Sequence, residues 1–381
     1  MRLFNNRRFR AILYQVLVIA GTVAVGFYLV SNTLDNLAQR GIATGLTFLG
    51  REAGFDISES LIDYSAADTY GEALVVGLLN TLKVSLIGIV LASLIGTVIG
   101  IARLSSNWLV ARLATVYVEG VRNIPLLLQL FVWYGVITAL PSPRQALAPM
   151  PGVFLTNRGL RIPSIDWNPA YWVVLASLFA GLVGAFLMAR WGRRRHEATG
   201  QPFPAVLAGT GLTLGLTLAA FVLIGAPLAL EVPELSGFNF QGGLVLSPEF
   251  AAVLAGLTIY TAGFIAEIVR SGILAVARGQ TEAALSLGLT RLQVLRLVVL
   301  PQALRVIVPP MTSQYLNLTK NSSLAVAIGY PDLISVANTA INQTGQAVEG
   351  VAIAMAAYLT ISLAISAFMN WYNRKVALVS R

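Results

Sequence analysis

Eight apolar stretches, at about residues 11–30, 73–102, 114–140, 170–189, 205–228, 250–275, 306–328 and 351–371, dominate this chain. Each approaches or exceeds the roughly 20 residues that a helix needs to cross the hydrocarbon of a bilayer. With only 11% of its 381 residues charged, against about a quarter in an ordinary soluble domain, the chain has too little polar surface to present to water. The implied fold class is an all-α integral membrane protein of about eight transmembrane helices. The first stretch comes after a basic start, but it is too long for a cleaved leader and no small-residue cleavage site succeeds it, so it is read as a retained anchor.

Basic residues near the span ends set the orientation. With the N-terminus inside, the cytoplasmic segments hold Arg2, Arg7, Arg8 and Arg10, then Arg103 and Arg112, then Arg190, Arg193, Arg194 and Arg195. Arg278, Arg291, Arg296 and Arg305 come next, and Arg374, Lys375 and Arg381 close the tail. The outer segments hold only Arg40, Arg51, Arg144, Arg158 and Arg161, while Asp35, Glu52, Asp56, Glu59, Asp63, Asp68 and Glu72 crowd the first of them. An even number of spans with both termini cytoplasmic satisfies this bias. The net charge of +9 is therefore distributed by topology rather than gathered for nucleic acid. The strongly basic 190–195 loop pins orientation, with an anionic-lipid contact as the alternative. The proline-rich stretch 141–169 reads as an outer loop. No cysteine and one histidine, His196, exclude disulfide and thiol chemistry and argue against a haem-bearing membrane subunit.

The most informative segment lies on the cytoplasmic side between the sixth and seventh spans. Thr281-Glu282-Ala283-Ala284 is a strong helix former, Gly288 supplies a turn or C-cap, and Pro301 ends or kinks the helix around it. Two short helices around Gly288 form a hairpin that can dock in a groove of a soluble partner. Ala283 and Ala284 permit close approach, and Glu282 offers a carboxylate.

The combination Glu282-Ala283-Ala284, Gly288, Leu300-Pro301 resembles the signature of permease subunits of binding-protein-dependent ABC importers. The resemblance implies a type I importer permease core whose loop couples to an ATP-hydrolysing subunit. No G-x-x-x-x-G-K-[ST] phosphate loop is present, so ATP and its magnesium are expected on a partner ATPase dimer and no cofactor on this chain. The stretches 77–82, 117–130 and 266–273 are similar to the polar amino-acid subgroup. That layout usually has five core spans. An extra leading span and an inserted helix pair make this chain most like the general L-amino acid permeases. The implied division is an anchor and outer segment at 1–69 and a permease domain at 70–375, its core at 70–140 and 249–375 and its insert at 141–248. The implied partners are a second, similar permease subunit and a periplasmic amino-acid-binding protein, in a bacterial inner membrane.

An amino acid needs counter-charges inside the membrane, where charges are costly and must be paired or line a cavity. Glu119 with Arg122, and Glu267 with Arg270, share the i, i+3 spacing of a helix-face ion pair. Either pair serves the substrate path or locks helices near the inner face. Asn317, Thr319, Lys320, Asn321 and Ser322 form the most polar part of any span, and either line a cavity or bond between helices. An ion-coupled secondary transporter would use Glu119, Glu267 and Lys320 for coupling, but it leaves the loop spacing unexplained. A membrane enzyme lacks a catalytic constellation.

Overall fold

The computed structural model describes residues 7–39, 44–165, 168–201, 203–225 and 230–376. Arg2, Arg40 and Arg381, counted above in the orientation, lie outside these residues. Among the described residues, seven helices are long and apolar enough to cross a membrane, or eight if one bent pair is a single span. The chain divides into two compact units, residues 1–137 with 247–381, and residues 138–246.

In the first unit, α1 (Arg7–Gln39) is apolar on all sides, and its central stretch buries nothing inside the molecule. Residues 44–69 fold against the other helices. Phe48, in a short 3-10 turn (Leu46–Gly50), and Ala53 are buried with Tyr70, Leu333 and Val336. Glu59 pairs with Lys83 at 2.5 Å and accepts from Ser247 Oγ at 2.5 Å. Thr69 and Glu72 cap each other at the start of α2 (Tyr70–Ala102), satisfying two orphan donors of its first turn.

Helix α2 packs along α7 (Pro248–Leu274) through small residues. A Cβ on Gly96 would lie 2.7 Å from Ile265, and one on Gly100 would lie 2.6 Å from the Ala266 carbonyl. Lipid tails are as apolar as leucine, so helices associate in a bilayer by close packing rather than by hydrophobic exclusion. These two glycines supply the closest approach.

The expected single span at 114–140 is two helices, α3 (Trp108–Asn123) and α4 (Leu126–Thr138), bent by 106°. Pro125 has no N–H to donate and forces Ile124 into extended backbone, φ −98° and ψ 125°. Gln129 Nε2 then bonds the freed carbonyls of Val121 and Ile124 at 2.9 and 3.0 Å.

Downstream of α7 come α8 (Arg278–Ser286), α9 (Arg291–Val294), a π-turn (Leu295–Val299) and α10 (Leu300–Asn321). Pro301 neither ends nor breaks this run. The π-turn widens the helix just ahead of it, and the proline occupies the first turn of α10, where its missing N–H costs least. A 3-10 segment (Ser322–Ile328), α11 (Leu333–Thr344) and α12 (Ala347–Val376) complete the unit. Asp332 caps α11, accepting from Ser335 N at 2.9 Å and from Tyr358 Oη at 3.3 Å.

The second unit departs from the all-helical expectation. Its α5 (Tyr171–Thr199) and α6 (Ala205–Ile224) form an antiparallel hairpin, with Gly181 against Thr213 and Gly209 against Ala185. The basic 190–195 segment is the continuation of α5, not a loop. The stretch read as an outer loop folds into β1 (Leu147–Met150), β2 (Val153–Thr156) and β3 (Gly159–Ile162), joined by β8 (Leu244–Leu246) in an antiparallel sheet of order β1-β2-β3-β8. Two further pairs are β4 (Ser164–Ile165) with β5 (Leu230–Glu231), and β6 (Glu234–Ser236) with β7 (Asn239–Gln241). Strands this short, separated by Gly and Pro, give no readable alternation.

This packing can be tested at two points. Replacing Gly100 by valine forces α2 off α7 and should cost about 1–3 kcal/mol, read as a lower thermal midpoint of the purified chain. Burial pushes the Asp332 carboxyl up to about 6, against the pull of the backbone donors at Ser335 and Ile334. The folded chain therefore holds this proton more tightly than the unfolded one. Stability from this group is fully present below about pH 4 and is lost as pH rises through 6, by about 2–3 kcal/mol. Asp332→Asn keeps the cap and should flatten that profile in thermal melts between pH 4 and 8.

Candidate functional site

The hairpin of α8 and α9 is built almost wholly from local rules. Gly288, at φ +78°, takes the left-handed position after α8. Gly288 N donates to Leu285 O at 2.9 Å and Leu289 N to Ala284 O at 3.3 Å, the paired bonds of a Schellman ending. Thr290 and Gln293 then cap each other at the start of α9. Ala284 and Val294 are buried. Glu282, Ala283 and Leu300 are exposed and Pro301 is half-buried. Leu287 is 82% exposed and Leu292 73% exposed. Leucines held open on a rigid, non-spanning hairpin mark a surface made to be covered.

The hairpin hangs from the end of α7, where the second cluster lies. Glu267 pairs with Arg270 at 2.7 Å and with Arg103, the C-cap of α2. One carboxylate thus ties both helices just beyond their glycine contact. The i, i+3 spacing reveals the Arg270 half; Arg103, counted above only for orientation, is brought in by packing. Glu119 and Arg122 are not so joined. Both side chains are exposed and no ion pair forms between them, Arg122 lying over the Phe264 ring at 5.0 Å instead.

The polar run on α10 is split by the helix. Thr319 and Ser322 are buried and bond backward to the carbonyls of Tyr315 and Thr319, at 3.0 and 2.7 Å. Asn321 is half-buried, whereas Asn317 and Lys320 are exposed on one face with Ser313. Hydrocarbon offers such groups no partner, so this face meets another protein chain or a water-filled path.

Two polar centres were not singled out from the sequence. Asn80 bonds the carbonyls of Glu59 and Pro331 at 2.7 and 2.9 Å, and Thr81 Oγ1 accepts from Leu333 N at 3.0 Å. Lys83, the lone charge in its span, is the partner of Glu59 and lies 4.3 Å from the Phe250 ring centroid. A lysine inside an otherwise uncharged apolar run is itself a signal that a carboxylate must reach it. Among the described residues, no group of three or more metal-ligating side chains comes together.

Residues 216–378 match the family of inner membrane components of binding-protein-dependent transport systems. The chain is 50% identical over 375 residues to the general L-amino acid transport system permease protein AapQ of Rhizobium johnstonii, covering 98% of this chain and 94% of that one. It is 41% identical over 413 residues to the glutamate/glutamine/aspartate/asparagine transport system permease protein BztB of Rhodobacter capsulatus, covering 100% and 96% respectively.

Removing the shared carboxylate should matter more than removing either arginine. Glu267→Gln strands two guanidinium groups and is expected to cost about 1–3 kcal/mol, whereas Arg270→Gln leaves the α2–α7 link through Arg103. The comparison is read by thermal unfolding of the two variants beside the parent chain.

Proposed function

The chain belongs to the inner-membrane permease components of binding-protein-dependent ABC importers, and on that basis we propose that it imports L-amino acids from periplasm to cytoplasm as one half of a paired permease. The chain is a multi-span inner-membrane protein. In this reading both termini are cytoplasmic, a second, homologous permease chain packs against it, and a periplasmic amino-acid-binding protein delivers the substrate. A dimer of ATPase subunits holds ATP and Mg²⁺; this chain holds neither.

The observation that carries the reading is the hairpin. Its two caps fix the angle between α8 and α9, and its exposed Leu287, Leu292 and Glu282 present one apolar and one charged contact to a groove on the ATPase. Closure of the ATPase dimer displaces the hairpin, which is continuous with α7 on one side and α10 on the other. Helix α2 moves with it through Arg103 and Glu267. Nucleotide can drive the change only through its unequal affinity for the two arrangements.

Lys320, with Asn317 and Ser313 on the open face of α10, supplies the counter-charge for the substrate carboxylate. Thr319 and Ser322, bonded within their own helix, shape that face rather than contact the substrate. Glu267 and Arg270 are assigned to holding helices rather than to the path. Glu119 and Arg122 remain substrate-path candidates by exposure alone.

In proteoliposomes containing the assembled transporter, Glu282→Ala combined with Gly288→Val should lower transport-linked ATP hydrolysis by tenfold or more. The αL strain of a β-branched residue at 288, about 1–2 kcal/mol, adds to the lost contact. Normal coupling in a normally assembled complex would defeat the coupling assignment. Lys320→Met should instead cut uptake while leaving basal hydrolysis intact. Uptake that fails with an uncoupler while ATP persists would favour ion coupling.

A further inference from the structure

The α5–α6 hairpin carries a charge pattern that transport does not use. Helix α5 has 29 residues, about 44 Å at 1.5 Å per residue, whereas α6 has 20 residues, about the 30 Å of hydrocarbon. Helix α6 carries no charged side chain along its whole length. It therefore marks the apolar slab, and its first residue, Ala205, marks one edge. The packing register transfers that edge to α5. Gly209 faces Ala185, Gly181 faces Thr213, and Gly192 faces Ala205 and Phe203. The hydrocarbon thus ends near Gly192.

At that level stands a built aromatic corner. The Trp191 and Phe203 rings meet edge to face, 5.2 Å between centroids and 84° between planes. The Arg195 guanidinium lies 5.5 Å from the Trp191 ring. Tryptophan at the edge of an apolar slab is a depth anchor. Arg193, Arg194 and Arg195 begin one residue beyond Gly192, so their backbone lies within about 5 Å of the hydrocarbon edge. That is the headgroup layer, which adds roughly 5–7 Å on each side of the slab. It is not the water in which a soluble partner would meet them.

Arg190, Arg193 and Arg194 share one face of α5 by their i, i+3 and i+4 spacing, and all are exposed. A single carboxylate, Glu197, falls on the same face, and no ion pair joins it to them. Arg195 also donates to Gln201 at 3.2 Å. The face is thus a concentrated, uncompensated cation at headgroup depth.

We propose that this end of the α5–α6 hairpin binds acidic phospholipid headgroups. Arg190, Arg193 and Arg194 take the phosphates, and Trp191 on Phe203 sets the depth. Guanidinium forks match phosphate oxygens in pairs, which ammonium groups cannot do. Bound lipid would fix the insert laterally in its bilayer, a role separate from the coupling hairpin and from the α10 face.

The test uses the full chain, stripped of lipid in detergent and titrated with short-chain phosphatidylglycerol or phosphatidylcholine while native mass spectrometry counts bound lipid. Phosphatidylglycerol should bind tighter, and the preference should shrink as salt rises. With about fivefold per arginine, R190Q/R193Q/R194Q should weaken phosphatidylglycerol binding by roughly 100-fold. A control that removes three exposed arginines elsewhere, R51Q/R144Q/R158Q, should bind as the parent does. Insertion of the triple variant is checked by adding Thr199→Cys, the sole cysteine in such a chain, and labelling it from one side of the membrane. Should insertion fail, the parent chain's lipid preference and salt dependence decide alone. Equal binding of the two lipids, equal loss in the control, or full displacement of phosphatidylglycerol by millimolar inorganic phosphate would each overturn the proposal.

Discussion

The close approach of α2 to α7 is the contact on which the rest of the membrane core depends. In lipid, apolar surface gains little by meeting apolar surface, so a helix pair needs backbone proximity to hold together. Gly96 and Gly100 give that proximity, and the carboxylate of Glu267 closes the pair at one end through Arg103. Everything the hairpin does to α7 is felt by α2, because the two backbones have no room to slide apart. The pair behaves as one wide element rather than two narrow ones.

Polar groups inside this core are handled in three ways. Most hydroxyls, such as Thr319 and Ser322, bond back to their own helix and so ask nothing of their neighbours. A second set ties separate segments together: Asn80 to Glu59 and Pro331, Thr81 to Leu333, and Lys83 to Glu59. These bonds explain why residues 44–69, polar and outside the spans, still fold tightly. The third set, Ser313, Asn317 and Lys320, stays open. In a chain that satisfies its other polar residues so thoroughly, an unsatisfied face is the part whose partner is another molecule.

Much of this was legible in the sequence, and the misses have physical causes. Length and apolarity located the crossing helices, because the bilayer imposes one length scale on every span. The hairpin at Gly288 was legible because its caps act within a few residues. The bend at Pro125 was hidden inside a continuous apolar run, although the proline itself was the cue. The strands at 147–162 were too short to show alternation. Arg103 and Glu267 stand 164 residues apart, and no local rule links them; only the packing of α2 on α7 does. The α10 run read as one polar patch, whereas its side chains divide between a bonded face and an open one, a division that only the neighbouring helices decide.

The corner between α3 and α4 has a further consequence. Gln129 closes the gap by holding both carbonyls exposed at the turn, and Leu130 presses on Gly256 of α7 while Tyr117 bonds Ile259 O at 2.8 Å. The two arms are thus clamped to α7 on either side of a near right angle. Opening the angle would leave two carbonyls bare in oil, so the piece turns as a bell crank. A thrust along one arm must emerge as a sideways sweep of the other.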